Sequence, residues 1–186
     1  MTVIQHDFGQ PPGAIMQVAY VVPQLREALA LWTQELRVGP FFLFEDFTLN
    51  DLLYRGRPSQ LNVSLACGYS GSVCIELIQQ HDREPSVYRD VIESRGYGLH
   101  HCAIMTNDFD ADQRRLQASI GPLAMYGVTK AAPARVAYLD ARATLGSMLE
   151  LIELTPGSGA LFTMMKQAAA GWDGSDPVRS GNDIRI

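Results

Sequence analysis

Lysine is almost missing from this chain: Lys130 and Lys166 are the only two. Acidic residues outnumber basic ones, 20 to 15, and the formal net charge is −5. The arginines form no cluster. The electrostatic footprint of a nucleic-acid or anionic-membrane partner is therefore absent. No apolar run approaches the roughly 18 residues of a membrane-spanning helix. Met1 to Gly13 carries Asp7 and no basic cluster ahead of an apolar core, so it does not read as a secretory signal. Cysteine is scarce as well. Cys67, Cys74 and Cys102 are odd in number and lack metal-knuckle spacing, so reduced thiols in a cytoplasmic protein are expected. Apolar residues, by contrast, make up 47% of the 186 positions, too many for a disordered chain. A chain of this length forms one domain, or two small halves sharing a core. It buries about 70% of its unfolded surface without disulfides or structural zinc.

Residues 1–13 end in Gln10-Pro11-Pro12-Gly13 and read as an irregular arm. Ile15 to Val22 is β-rich and stops at Pro23, which suits the opening of a helix. Leu25, Ala28, Leu29 and Trp32 then recur at helical spacing until Val38-Gly39-Pro40. Phe41 to Phe44 is strand-like, Asn50 to Ser59 reads as a polar loop, and Leu61 to Cys67 and Val73 to Gln79 are strands. The module 14–80 thus has the order βαβββ. Residues 81–97 read as a linker with a short helix from Ser86 to Ser94. The order then restarts in 98–155: strand Leu99 to Thr106, helix Asp110 to Ser119, and strands Ala124 to Val128, Ala134 to Asp140 and Met148 to Glu153. Residues 156–186 hold a helix from Leu161 to Ala170 and a Gly/Asp/Ser-rich tail, Asp173 to Ile186, expected to be mobile. Phe162 and Met165 share one face of that helix, a stripe expected to pack on the core or on a partner subunit.

Two passes of the same order point to an internal repeat. Val18-Ala19-Tyr20-Val21 precedes Cys102-Ala103-Ile104-Met105 by 84 residues, and Glu76-Leu77-Ile78 recurs as Glu150-Leu151-Ile152. The expected class is α+β: two tandem βαβββ modules forming a curved mixed sheet round a cleft, with helices outside. Alternate strand residues point into such a cleft. Gln17, Ala19 and Val21 share one face of the first strand, and His101, Ala103 and Met105 share one face of its counterpart. Parity places His100 on the opposite face. Glu76 and Glu150 each sit between apolar neighbours on strands. A carboxylate there needs a cation or several donors. Gln17, Glu76, His101 and Glu150 therefore form a candidate ligand set for a hard or borderline divalent ion: Mn, Co, Mg, Ni, Fe or Zn. The alternative is that each glutamate pairs with an arginine such as Arg135 or Arg142.

The runs Gln17 to Ala28, Cys74 to Ile78, Gly98 to Ala103 and Gly146 to Ile152 resemble the opening and closing strands of the vicinal oxygen chelate superfamily. That superfamily includes glyoxalase I, methylmalonyl-CoA epimerase, extradiol dioxygenases and bleomycin-resistance proteins. The resemblance spans roughly residues 14–155, and Gly98-Leu99-His100-His101 is most similar to the epimerase branch. It implies metal ligation by Gln17, Glu76, His101 and Glu150. Many members carry His where this chain has Gln17, and an extradiol dioxygenase needs two His and one carboxylate. The epimerase branch also draws an acid from the strand before the first closing strand, where Asn62 stands here. Glu150, as ligand and base, and Glu45 are the remaining catalytic candidates. Phe42, Phe44, Tyr54, Asn62 and Met105 are the candidate pocket residues. The activity implied is isomerase, epimerase or lyase chemistry through an enolate of an oxygen-chelating small-molecule substrate, acyl thioesters included. The competing expectations are a metal-free binding protein of the bleomycin-resistance type and a dimeric scaffold with a filled cleft. A homodimer is expected by resemblance.

Overall fold

The computed structural model describes residues 6–184, so the arm is seen from His6 and the tail up to Ile184. Strand β1 (Ile15–Val21) leads through Pro23 into helix α1 (Leu25–Gln34). Strands β2 (Phe41–Phe47), β3 (Asn50–Tyr54), β4 (Arg57–Pro58), β5 (Val63–Ser70) and β6 (Val73–Gln80) follow. Helix α2 (Val87–Arg95) starts where the Ser86 side chain accepts from the Arg89 amide. The second pass runs β7 (Gly98–Thr106), α3 (Phe109–Ser119), β8 (Leu123–Val128), β9 (Arg135–Leu139), the single turn α4 (Arg142–Leu145) and β10 (Met148–Glu153). A capping box between Thr155 and Ser158, with Pro156 in the first turn, opens α5 (Pro156–Ala169). Strand β11 (Val178–Ser180) follows.

All eleven strands among the described residues lie in one mixed sheet, in the order β11-β2-β5-β6-β1-β7-β10-β9-β8-β3-β4. The seam is the antiparallel pair β1–β7, and each of these strands runs parallel to its own closing strand, β6 or β10. The two halves therefore mirror one another about the seam. Alternation divides the closing strands between two faces. Ile75 and Leu77 pack outward with Leu25 and Leu29 of α1, and Leu149 and Leu151 pack outward with Phe109 and Leu116 of α3. The intervening Glu76 and Glu150 must point to the inner face. That face carries the larger core. There Ala19, Val21, Ala103 and Met105 pack with Val87, Tyr88 and Val91 of α2 and with Phe162 and Met165 of α5. The module helices α1 and α3 thus lie outside, as expected, whereas α2 and α5 fill part of the concavity.

Two segments differ from their sequence reading. Residues 50–58 are a β-hairpin, not a loop. Arg55 and Gly56 both adopt positive φ, 46° and 77°, the signature of a two-residue type I′ turn. The hairpin crosses to the second half, where Leu53 pairs with Tyr126 and Tyr54 with Met125. Its polar composition hid it, because an edge strand keeps many side chains in water. The tail also forms structure. Strand β11 pairs with β2, held by Phe41 N–H donating to Pro177 O at 2.9 Å and Gly181 N–H to Leu43 O at 2.7 Å. A Cβ at Gly181 would lie 2.7 Å from the Phe44 ring, so only glycine permits that approach.

Candidate metal centre

Gln17, Glu76, His101 and Glu150 meet on the inner face, although their strands lie far apart in the chain. Register explains the meeting. Ala19 lies opposite both Glu76 and His101, and Ala103 lies opposite both Gln17 and Glu150. These two alanines carry only a methyl each, which leaves space between the longer side chains around them. One ligating atom from each of Glu76, His101 and Glu150 lies within 4.8 Å of the others. His101 Nε2 is 3.0 Å from Glu150 Oε2 and 3.4 Å from Glu76 Oε2. The Gln17 amide donates to Glu76 Oε2 at 2.8 Å.

The alternative partners are engaged elsewhere. Arg135 bonds Glu153 and Asp110, and Arg142 bonds Asp140. No arginine or lysine reaches Glu76 or Glu150 among the described residues. Burial, partly offset by His101 and reinforced by Glu150, raises the Glu76 carboxyl to about 7. Two buried atoms of these four residues lack any hydrogen-bond partner: Gln17 Oε1 and His101 Nε2. Each such orphan costs about 1–3 kcal/mol, and a divalent cation would satisfy both while neutralising the two carboxylates. The set of two carboxylates, one imidazole and one amide oxygen suits a hard or borderline ion. Cys67 lies nearby, with its Sγ 3.8 Å from Glu76 Oε1. Its contact with Cys74 and its burial push the thiol well up.

His100 sits on the same side as His101, contrary to strict alternation. The reason is a bulge. Ala19 pairs with His101 and Tyr20 with Leu99, so His100 is an extra residue in β7. Its ring turns inward, packs on Tyr88 and Tyr138, and places Nε2 3.0 Å from Val87 O and Nδ1 2.7 Å from His101 Nδ1. Burial, and next the adjacent His101, hold His100 well below the ordinary histidine range, so it is neutral.

The cluster forms the floor of a cavity of about 380 Å³, within the size range of small-molecule sites. Gln17, Glu76 and Glu150 line the cavity, and His101 is fully buried beside them. Phe44, Leu65, Val136, Ile152, Phe162 and Met165 supply apolar wall, Tyr88 and Tyr138 supply rings, and Glu45, Lys130 and Asn182 are among the polar lining. Glu45 belongs to strand β2 and is exposed. Of the pocket candidates, only Phe44 lines the cavity. Phe42 and Met105 are packed into the inner core. Tyr54 turns its hydroxyl to Asp90 at 2.8 Å, and Asn62 is exposed, with its amide N–H bonded to Asp82. The α5 wall was legible only as an apolar stripe, since the sequence does not say which face of the sheet a helix covers. Tyr138 is two residues from Val136, so the two share a face, yet nothing local marks that face as the concave one.

Comparison with known proteins agrees with this geometry. Residues 16–138 match the family model of the Glyoxalase/Bleomycin resistance protein/Dioxygenase superfamily, and the chain belongs to that family. The curated proteins searched contain no match. Among solved structures, the chain is similar to a hypothetical protein, BH1468, from Bacillus halodurans C-125, with 22% identity over 76% of this chain and 94% of that one, and a TM-score of 0.55. It is also similar to methylmalonyl-CoA epimerase from Mycobacterium tuberculosis, with 20% identity over 86% and 97% of the two chains and a TM-score of 0.56. A third similar structure is a methylmalonyl-CoA epimerase in complex with methylmalonyl-CoA and NH4+, with 15% identity, coverage of 79% and 98%, and a TM-score of 0.56. At these identities the structures establish a shared fold. No helix among the described residues is long and apolar enough to cross a membrane.

Proposed function

We propose that this chain is a metal-dependent isomerase or epimerase of glyoxalase-like type. It would move a proton on carbon next to a carbonyl of a small substrate. The observation that carries the reading is the buried Glu76–His101–Glu150 cluster, with His101 Nε2 and Gln17 Oε1 unpartnered, at the floor of a mainly apolar cavity. Gln17, Glu76, His101 and Glu150 would hold the cation. When bound, such a cation supplies Lewis acidity that stabilises negative charge developing on substrate oxygen. Glu150 lines the cavity, so its carboxylate can also reach a substrate carbon and act as the general base that removes and returns the proton. Glu45, exposed and also lining the cavity, is the second acid able to exchange that proton with solvent. Phe44, Leu65, Val136 and Ile152 would exclude water from the reacting carbon and bind the apolar part of the substrate. The substrate class that fits is a carbonyl compound with adjacent oxygens and an apolar body, acyl thioesters included. Homodimer formation remains part of this proposal, by family resemblance.

The test is solvent isotope exchange. Protein loaded with Co²⁺, Mn²⁺, Ni²⁺ or Zn²⁺ is incubated in D₂O with a panel of acyl thioesters, 2-hydroxy ketones and 2-oxo aldehyde adducts, and deuterium on carbon is followed by NMR. Exchange that requires the metal and is lost in Glu150→Gln supports the reading. Tight binding of panel members without exchange would replace it with the small-molecule-binding alternative.

A further inference from the structure

Resting on the reading above that the cavity takes a carbonyl compound, we propose that the Tyr88–Tyr138 hydroxyl pair supplies a hydrogen-bond donor to a substrate oxygen beside the cluster. The two hydroxyl oxygens lie 3.2 Å apart, and among the described residues neither has another partner. A phenol keeps its proton at neutral pH, so each hydroxyl has one proton to give. One of the two protons can lie between the oxygens. The other then has no acceptor in the protein, whichever hydroxyl carries it. A buried O–H in that state is costly, and buried hydroxyls therefore normally have an acceptor. Both tyrosines are almost fully buried, at 2% and 4% exposure, and both line the cavity. The acceptor for the spare proton has to come from whatever occupies that cavity.

The pair sits where such a donor can act. Tyr138 lies directly opposite Glu150 across the β9–β10 ladder, and opposite residues of a ladder are side-chain neighbours on one face. Its ring meets the His101 ring edge-on, with centroids 5.2 Å apart. Tyr88 comes from α2 and packs edge-on against Tyr138, with centroids 6.0 Å apart. A carbonyl oxygen held near Glu150 can take the spare O–H without breaking any hydrogen bond of the protein. The same donor strengthens as negative charge builds on that oxygen, so it favours an enolate over the parent ketone. It also gives specificity. An apolar compound without an acceptor oxygen leaves the proton unpaired, and the site discriminates against it relative to a ketone of the same shape.

The experiment uses full-length protein with EDTA present, so that no cation competes for the ligand oxygen. The probes are 2-acetylnaphthalene, a neutral aryl ketone, and 2-isopropenylnaphthalene, which has the same shape with CH₂ in place of the oxygen. Equilibrium dialysis gives the ratio of their affinities. From wild type to the Tyr88→Phe/Tyr138→Phe double variant, the ketone-to-alkene ratio should fall by about 2–10-fold. A merely structural role for the hydroxyls would weaken both probes alike and leave the ratio unmoved. Each single variant keeps one O–H free to donate, so it should retain most of the wild-type ratio. Infrared difference spectra of the ketone labelled with ¹³C at the carbonyl should place the C=O stretch in wild type below its frequency in hexane. In the double variant the stretch should return toward the hexane value. An unchanged ratio in the double variant overturns the inference, and so does a hexane-like stretch in wild type. If the double variant does not fold, the wild-type spectrum still decides. Wild type that binds both probes but fails these measurements sinks this inference alone. Wild type that binds neither probe sinks the carbonyl-substrate reading on which it rests.

Discussion

Adding a divalent cation to metal-stripped protein should raise its melting temperature, and the rise should grow with pH. In the stripped protein the Glu76 carboxyl sits at about 7 instead of 4.5, first because of burial. Ionising it inside the fold therefore costs about 3 kcal/mol more than in the unfolded chain. The sign follows from linkage. A raised folded-state value means that the native protein binds this proton more tightly than the unfolded chain does. Stability from this group is thus fully present below about pH 4.5 and is lost as pH rises through about 7. A cation requires the ionised ligands, so it restores most at the pH where the stripped site is worst. At a free metal concentration 100 times the Kd, linkage gives about 2.7 kcal/mol. For a domain of this size that is a shift of about 5–11 °C. Differential scanning fluorimetry with Mn²⁺, Co²⁺, Ni²⁺, Zn²⁺ and Mg²⁺ at pH 6 and pH 8, against EDTA, measures it. Glu150→Gln supplies the control: it removes one buried charge, so the stripped variant should be as stable as wild type or more so at pH 8, yet show almost no metal shift. If no cation shifts wild type, or if the shift is larger at pH 6 than at pH 8, the ligand assignment is refuted.

Three further outcomes test the frame around the site. Asp140 accepts from Arg142 and Arg55, and chiefly the Arg142 hydrogen bond depresses its carboxyl to about 2. Its stabilisation is present above about pH 4 and lost as pH falls through 2, so Asp140→Asn should cost about 1 kcal/mol at pH 7, allowing for the exposed Arg55, and flatten acid unfolding in that window. Met105 is fully buried in the inner core and does not line the cavity, so Met105→Ala should destabilise by about 2–5 kcal/mol in urea unfolding. Zn²⁺ affinity, measured below the unfolding transition, should not change. Tyr54 donates to Asp90 at 2.8 Å and ties the β3–β4 hairpin to α2, so Tyr54→Phe should cost about 1 kcal/mol and leave cation binding intact.

What the sequence determined by itself was periodic and local. Alternation along Cys74 to Ile78 and Met148 to Ile152 told which residues share a face, and the 84-residue offset aligned Gln17 with His101. Those two patterns suffice to set Glu76 and Glu150 on the face opposite their apolar neighbours and to make Gln17 and His101 counterparts, because side chains alternate along a regular strand. Tertiary structure decided what parity cannot reach. A bulge in β7 turned His100 to the same side as His101, since an added residue resets alternation and only the partner strand reveals it. The polar stretch 50–58 became an edge hairpin of the opposite half, and Tyr54 left the candidate pocket with it. Helix α5 came to lie over the concave face, where Phe162 and Met165 line the cavity, while Phe42 and Met105 were taken up by the core. Which apolar side chains face a ligand and which face one another depends on where a helix docks. That docking is a balance of burial over the whole sheet, and no window of the chain records it.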